Sequence, residues 1–134
     1  MKKILIVIAI LIVYASAWTQ QKGKIITIVG EVVETQCYVS GLTGPGKGPG
    51  HKDCALKSAK QGIPLSILED KTGTVFLVGQ TKKAQSGANE MLIPFIAQKV
   101  KVTGRMYEKG GMKLLLISKI SSLEDVNKSE EEKK

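Results

Sequence analysis

Two β-branched runs, each broken by a single glycine, constrain this chain more than any other feature. Residues 24–39 hold Ile25, Ile26, Thr27, Ile28, Val29, Val32, Val33, Thr35 and Val39, with Gly30 in their midst. From Lys99 a second run alternates: Val100, Val102 and Met106 share one face, while Lys99, Lys101, Thr103 and Arg105 share the other. Gly104 interrupts it. Side chains two apart on a strand lie on one face, so both runs read as strands with a buried side. A glycine inside a long strand marks a bulge or sharp bend, which a sheet needs to close on itself. The expectation is a small closed barrel.

The other segments fit that frame. Residues 63–69 and 74–79 are short apolar runs joined by Asp70-Lys71-Thr72-Gly73, a hairpin signal. Lys109-Gly110-Gly111 turns the chain into a last strand over residues 112–120. A short helix is expected from Asp53 as N-cap, through the stripe Ala55, Leu56 and Ala59, to a stop at Gly62. Residues 80–90 read as a polar loop, and residues 91–96, broken by Pro94, as one helical turn and a connector. The fold class is therefore all-β. It is a five-stranded, OB-fold-like Greek-key barrel with one short helix after strand 1 and a helical turn between strands 3 and 4. A generic β-sandwich is the competing architecture. Ligands of such barrels usually meet strands 2 and 3, flanked by the loops after strands 1 and 4.

The start of the chain reads as an export signal. Lys2 and Lys3 precede an apolar run from Ile4 to Val13, and Ala15-Ser16-Ala17 offers the small residues of a cleavage site before Trp18. That run is shorter than the roughly 20 residues of a membrane-spanning helix. Contact with a membrane is expected only if the signal stays uncleaved. The organisation is then residues 1–17 as signal peptide, 18–123 as one OB-fold-like domain, and 124–134 as a charged, disordered tail. Losing Lys2 and Lys3 leaves 18 basic against 12 acidic residues, a net of +6 instead of +8. The expected location is periplasmic or extracellular, where a disulfide is the default fate of two cysteines.

Those two cysteines, Cys37 and Cys54, bracket a glycine- and proline-rich loop, and the sole histidine, His51, stands three residues before the second. All thiol and imidazole chemistry is confined to this stretch. One reading is a Cys37–Cys54 disulfide, worth roughly 3 kcal/mol if unstrained, with His51 an ordinary loop residue. The other is a metal site made by Cys37, His51 and Cys54. Cys54 falls at a helix start, where unpaired N–H groups favour negative charge, and Lys52 and Lys57 act the same way. Two sulfurs and one imidazole fall short of the four ligands of a closed structural zinc site. They suit copper(I), or a zinc site open to an outside ligand.

Three stretches carry a family resemblance. They are Gly30-Glu31-Val32-Val33 through Cys37-Tyr38, then His51-Lys52-Asp53-Cys54-Ala55 with Gly62-Ile63-Pro64-Leu65, and Lys99-Val100-Lys101-Val102-Thr103-Gly104. The chain resembles a group of small exported bacterial OB-fold proteins whose function is unassigned. In that group a further cysteine often follows four residues after the His-x-x-Cys cysteine. Here that position is Ser58, so one sulfur of the family pattern is missing.

Other chemistries find less support. Thiol–disulfide exchange through Cys54 and Cys37 is an alternative, but sixteen residues separate the two, unlike the C-x-x-C of dedicated oxidoreductases. Gly41 to Gly48 nearly matches a phosphate-binding loop, yet glycine follows Lys47 where a hydroxyl should hold magnesium. Lys99, Lys101, Arg105, Lys109 and Lys113 offer a basic stripe for a polyanion, either nucleic acid or an acidic surface polymer. Nucleic acid is disfavoured because few aromatic side chains remain as stacking platforms. Glu31, Glu34, Glu69 and Asp70 read as ordinary strand and turn charges, and no catalytic constellation stands out. The functional expectation is an exported binding or accessory module whose partner is an extracytoplasmic protein or small ligand.

Overall fold

The computed structural model describes residues 22–80 and 87–131. The export signal, Trp18 and most of the 80–90 loop lie outside the described residues. Five strands, β1 (Lys24–Glu34), β2 (Leu65–Glu69), β3 (Val75–Gln80), β4 (Lys99–Lys109) and β5 (Met112–Ser122), close into a barrel in the order β1-β2-β3-β5-β4. All neighbours are antiparallel except β3 and β5, which run parallel from Leu77↔Leu114 to Gln80↔Ile117. This is the expected OB-fold-like barrel.

The two glycines do what the pattern implied. β1 pairs with β4 from Lys24 to Glu31 and with β2 from Gly30 to Glu34, so the strand passes from one neighbour to the other at Gly30. A β-carbon at Gly30 would sit 2.3 Å from the Leu68 carbonyl oxygen. At Gly104 the β4–β5 register shifts, and a β-carbon would lie 2.5 Å from the Leu116 carbonyl oxygen. Both bends bring backbones closer than any side chain permits.

Inside the barrel, Ile28, Val32, Leu65, Ile67, Phe76, Val100, Val102, Leu115 and Ile117 form one apolar cluster. The segment between β3 and β4 plugs it. There α3 (Asn89–Leu92) and a 3-10 turn (Ile93–Phe95) insert Leu92 and Ile96, both essentially inaccessible. Asn89 is the joint: its amide nitrogen donates to the carbonyls of Ala59 (3.0 Å) and Ile63 (2.8 Å), and its oxygen accepts from Leu65 N–H (3.0 Å).

Apart from shifts of one or two residues at strand ends, three boundaries differ from the sequence reading. β1 ends at Glu34, and Thr35–Ser40 is a helix, α1, not the end of a strand. The Glu34 carboxylate accepts from the N–H groups of Gln36 (2.5 Å) and Cys37 (3.0 Å), and Gly41 at φ 64° ends the helix. Local capping at both ends outweighs the β propensity of Thr35 and Val39. The second helix, α2 (Lys52–Lys60), starts before Asp53 because a 3-10 turn (Pro49–His51) leads into it; its N-cap is His51. Finally, the charged tail continues as helix α4 (Leu123–Glu131). Ser122 Oγ accepts from Glu124 N–H at 3.2 Å, and Glu124 and Asp125 suit a first helical turn. Among the described residues no helix is long and apolar enough to cross a membrane.

Candidate metal centre

The connection from β1 to β2 folds back over the outside of β1. Ile28 and Val32 face the barrel interior, whereas Val33 is 2% exposed yet absent from the interior cluster. By strand alternation Glu31 and Val33 share the outer face, and what buries them there is the loop laid across it. The loop crosses α1 at Gly46. This residue is buried at φ 63°, and a β-carbon on it would sit 2.4 Å from the Tyr38 α-carbon. Only glycine permits that crossing.

The result is convergence. The ligand atoms of Cys37 on α1, His51 at the end of the 3-10 turn and Cys54 in the first turn of α2 all lie within 4.8 Å of one another. Cys37 and His51 are buried and Cys54 is exposed. Both thiols are free, so the expected Cys37–Cys54 disulfide is absent. One sulfur comes from α1 and one from α2, and with the imidazole they form a three-donor group. A metal with bonds of about 2.0–2.3 Å to nitrogen and sulfur sets its donors roughly 3.5–4 Å apart. Closing the cluster around an ion therefore takes a contraction of no more than about 1.3 Å.

His51 is no ordinary loop residue. It is only 7% exposed, and its Nε2 is buried without a hydrogen-bond partner among the described residues. A buried polar atom left unpaired costs about 1–3 kcal/mol, and a neutral imidazole nitrogen is a metal ligand. The donor set and this orphan atom fit a thiophilic ion.

The Cys37 thiol is pushed above the ordinary cysteine range. Its hydrogen bond to the Glu34 carboxylate is the main cause, opposed by the Thr43 hydroxyl; burial, the Glu34 charge and nearby Cys54 add to the rise. The protonated thiol is thus the resting form, and metal binding there must displace a proton.

No protein-family model, curated protein or solved structure matches this chain. The candidate site rests on its own geometry.

The basic stripe lies elsewhere. Lys99 pairs with Asp70 and stands 3.9 Å from Glu31, Lys113 pairs with Glu108 at 2.6 Å, and Arg105 donates to the Gly23 carbonyl at 2.9 Å. Lys101 lines a recess of about 210 Å³ with Thr103, Lys119, Ser121 and Val126, and Lys109 ends β4. Phe76 is buried in the core and Phe95 packs against it, so neither offers a stacking platform.

Sequence reasoning missed Glu31 and Glu34. Both are buried, at 7% and 1% exposure, and both support the candidate site. Glu34 caps the helix that bears Cys37, and Glu31 accepts from Gly48 N–H. A glutamate before a short segment ending in glycine is a weak capping signal. Nothing local marks Glu31.

Proposed function

We propose that this protein is an exported metal-binding accessory module. It holds one thiophilic d10 ion, copper(I) or zinc, between Cys37, His51 and Cys54, with one coordination position open to an incoming ligand. The observation that carries this reading is the convergence of two sulfurs and one imidazole, two of the three residues buried, together with a buried His51 Nε2 that has no hydrogen-bond partner among the described residues. The apolar run and small-residue site of residues 1–17 support the export. The exposed Cys54 gives the ion a route in and out, as suits a carrier or an accessory protein rather than a permanently closed structural site.

Titration of the reduced protein with zinc, and with copper(I) under a competing chelator, tests it. One equivalent is expected to bind, with proton release, and His51→Ala is expected to weaken binding by at least about tenfold. Alkylation followed by intact-mass analysis should show two reactive thiols without metal and protection with it. Absence of stoichiometric binding by either ion overturns the proposal.

A further inference from the structure

The loop that delivers His51 has almost nothing to anchor it. From Gly41 to Gly50 only Gly46 is buried, and Leu42, its one large apolar side chain, is 84% exposed. A segment without buried apolar contacts is placed by its polar contacts or not placed at all. Here those contacts form a short chain. Glu31 Oε1 accepts from Gly48 N–H, and the Gly48 carbonyl accepts from His51 N–H at 3.0 Å. The carboxylate thus stands two hydrogen bonds from the backbone of the imidazole ligand.

From this we infer that Glu31 is a positioning residue for the metal centre, fixing the 3-10 turn so that His51 meets the two sulfurs; the inference rests on the metal-binding reading. Glu31 faces away from the barrel core and takes no part in its apolar cluster. A buried carboxylate is costly unless its oxygens are satisfied. Among the described residues its second oxygen, Oε2, has only Lys99, at 3.9 Å, and Lys99 is engaged more closely by Asp70. The contact that satisfies Glu31 is therefore the one to the loop. Burying this carboxylate and seating His51 are a single event. Glu34 plays the matching part for Cys37, so β1 supports two of the three ligands from its last four residues.

The test uses the full chain, zinc affinity by chelator competition, and the visible spectrum of the cobalt(II)-loaded protein. Glu31→Ala should weaken zinc binding about 10–100-fold, the range typical of residues that orient metal ligands. Its cobalt spectrum should move toward that of His51→Ala. Glu31→Gln keeps an acceptor oxygen for Gly48 N–H and should restore affinity to within about threefold of wild type. Glu31→Leu keeps a side chain under the loop without an acceptor and should repeat the loss, which guards against a folding defect peculiar to alanine. In a His51→Ala background, Glu31→Ala should cost nothing further, because what it positions is gone. Equal loss in Glu31→Ala and Glu31→Gln overturns the inference, as do multiplicative effects of Glu31→Ala and His51→Ala or an unchanged affinity in Glu31→Ala. Failure of the wild type to bind zinc or cobalt overturns instead the metal-binding reading beneath it.

Discussion

Replacing His51 by leucine should make the metal-free protein more stable and the metal-loaded protein less so. The unpartnered, buried Nε2 costs the apo fold about 1–3 kcal/mol in lost hydration. Leucine fills a similar volume without a polar atom, and imperfect packing returns part of that gain, leaving about 1 kcal/mol net. For a domain of this size that moves Tm up by roughly 4 °C or more. Metal reverses the order. At a free concentration one hundred times Kd, wild type gains about 2.7 kcal/mol while a variant lacking the imidazole gains much less. Wild type then leads by about 1–2 kcal/mol. Urea melts under reducing conditions, with chelator and with excess zinc, measure both arms. A variant that zinc stabilises as much as wild type refutes His51 as a ligand. A metal-free variant less stable than wild type refutes the cost assigned to Nε2.

Gly46→Ala should destabilise the fold by roughly 1–3 kcal/mol and weaken metal binding, because its φ of 63° and the 2.4 Å approach to Tyr38 both exclude a β-carbon; urea melts and zinc titration read the two effects. Asn89→Ala removes three hydrogen bonds at the joint of α2, α3 and β2 and should cost about 2–4 kcal/mol in urea melts, with metal affinity little changed once folded. Because Glu34 and burial raise the Cys37 thiol, metal affinity should climb with pH up to that raised value. In the apo protein the sign is opposite: the protonated thiol is favoured by folding, so its stability is present below the ordinary thiol range and lost as pH rises through the raised value. Melts from pH 6 to 10 with and without zinc should therefore diverge. Ser58 lies one helical turn after Cys54, so Ser58→Cys should supply a fourth donor and tighten zinc binding at least about tenfold by chelator competition.

The barrel was legible because its requirements are written locally. Val100, Val102 and Met106 alternate with charged neighbours, and Gly30 and Gly104 stand where backbones must approach. The site was legible only as an inventory, since Cys37, His51 and Cys54 are the sole thiols and imidazole of the chain. Whether they would meet, and whether the sulfurs would bond, depended on a loop crossing at Gly46 that no periodicity encodes. α1 was hidden because Thr35 and Val39 favour a strand, while the cap that decides the matter is a glutamate, a residue more often solvated. Glu31 was hidden for a different reason. What buries it is a tertiary covering with no sequence period, so a strand charge on an outer face looks like any other.

The three candidate ligands and both supporting glutamates all fall between Glu31 and Cys54, whereas sealing the barrel joins partners as far apart as Gly23 and Arg105, 82 positions along the chain. Short loops close sooner and at lower entropic cost than long ones, and parallel pairings such as β3 with β5 are slow to form. On the metal-binding reading, an ion present during folding is therefore expected to meet Cys37, His51 and Cys54 before the last strand is in place. If the proposed metal binding holds, the ion would then cross-link the early half of the chain while the late half is still searching, serving the fold as well as being carried by it.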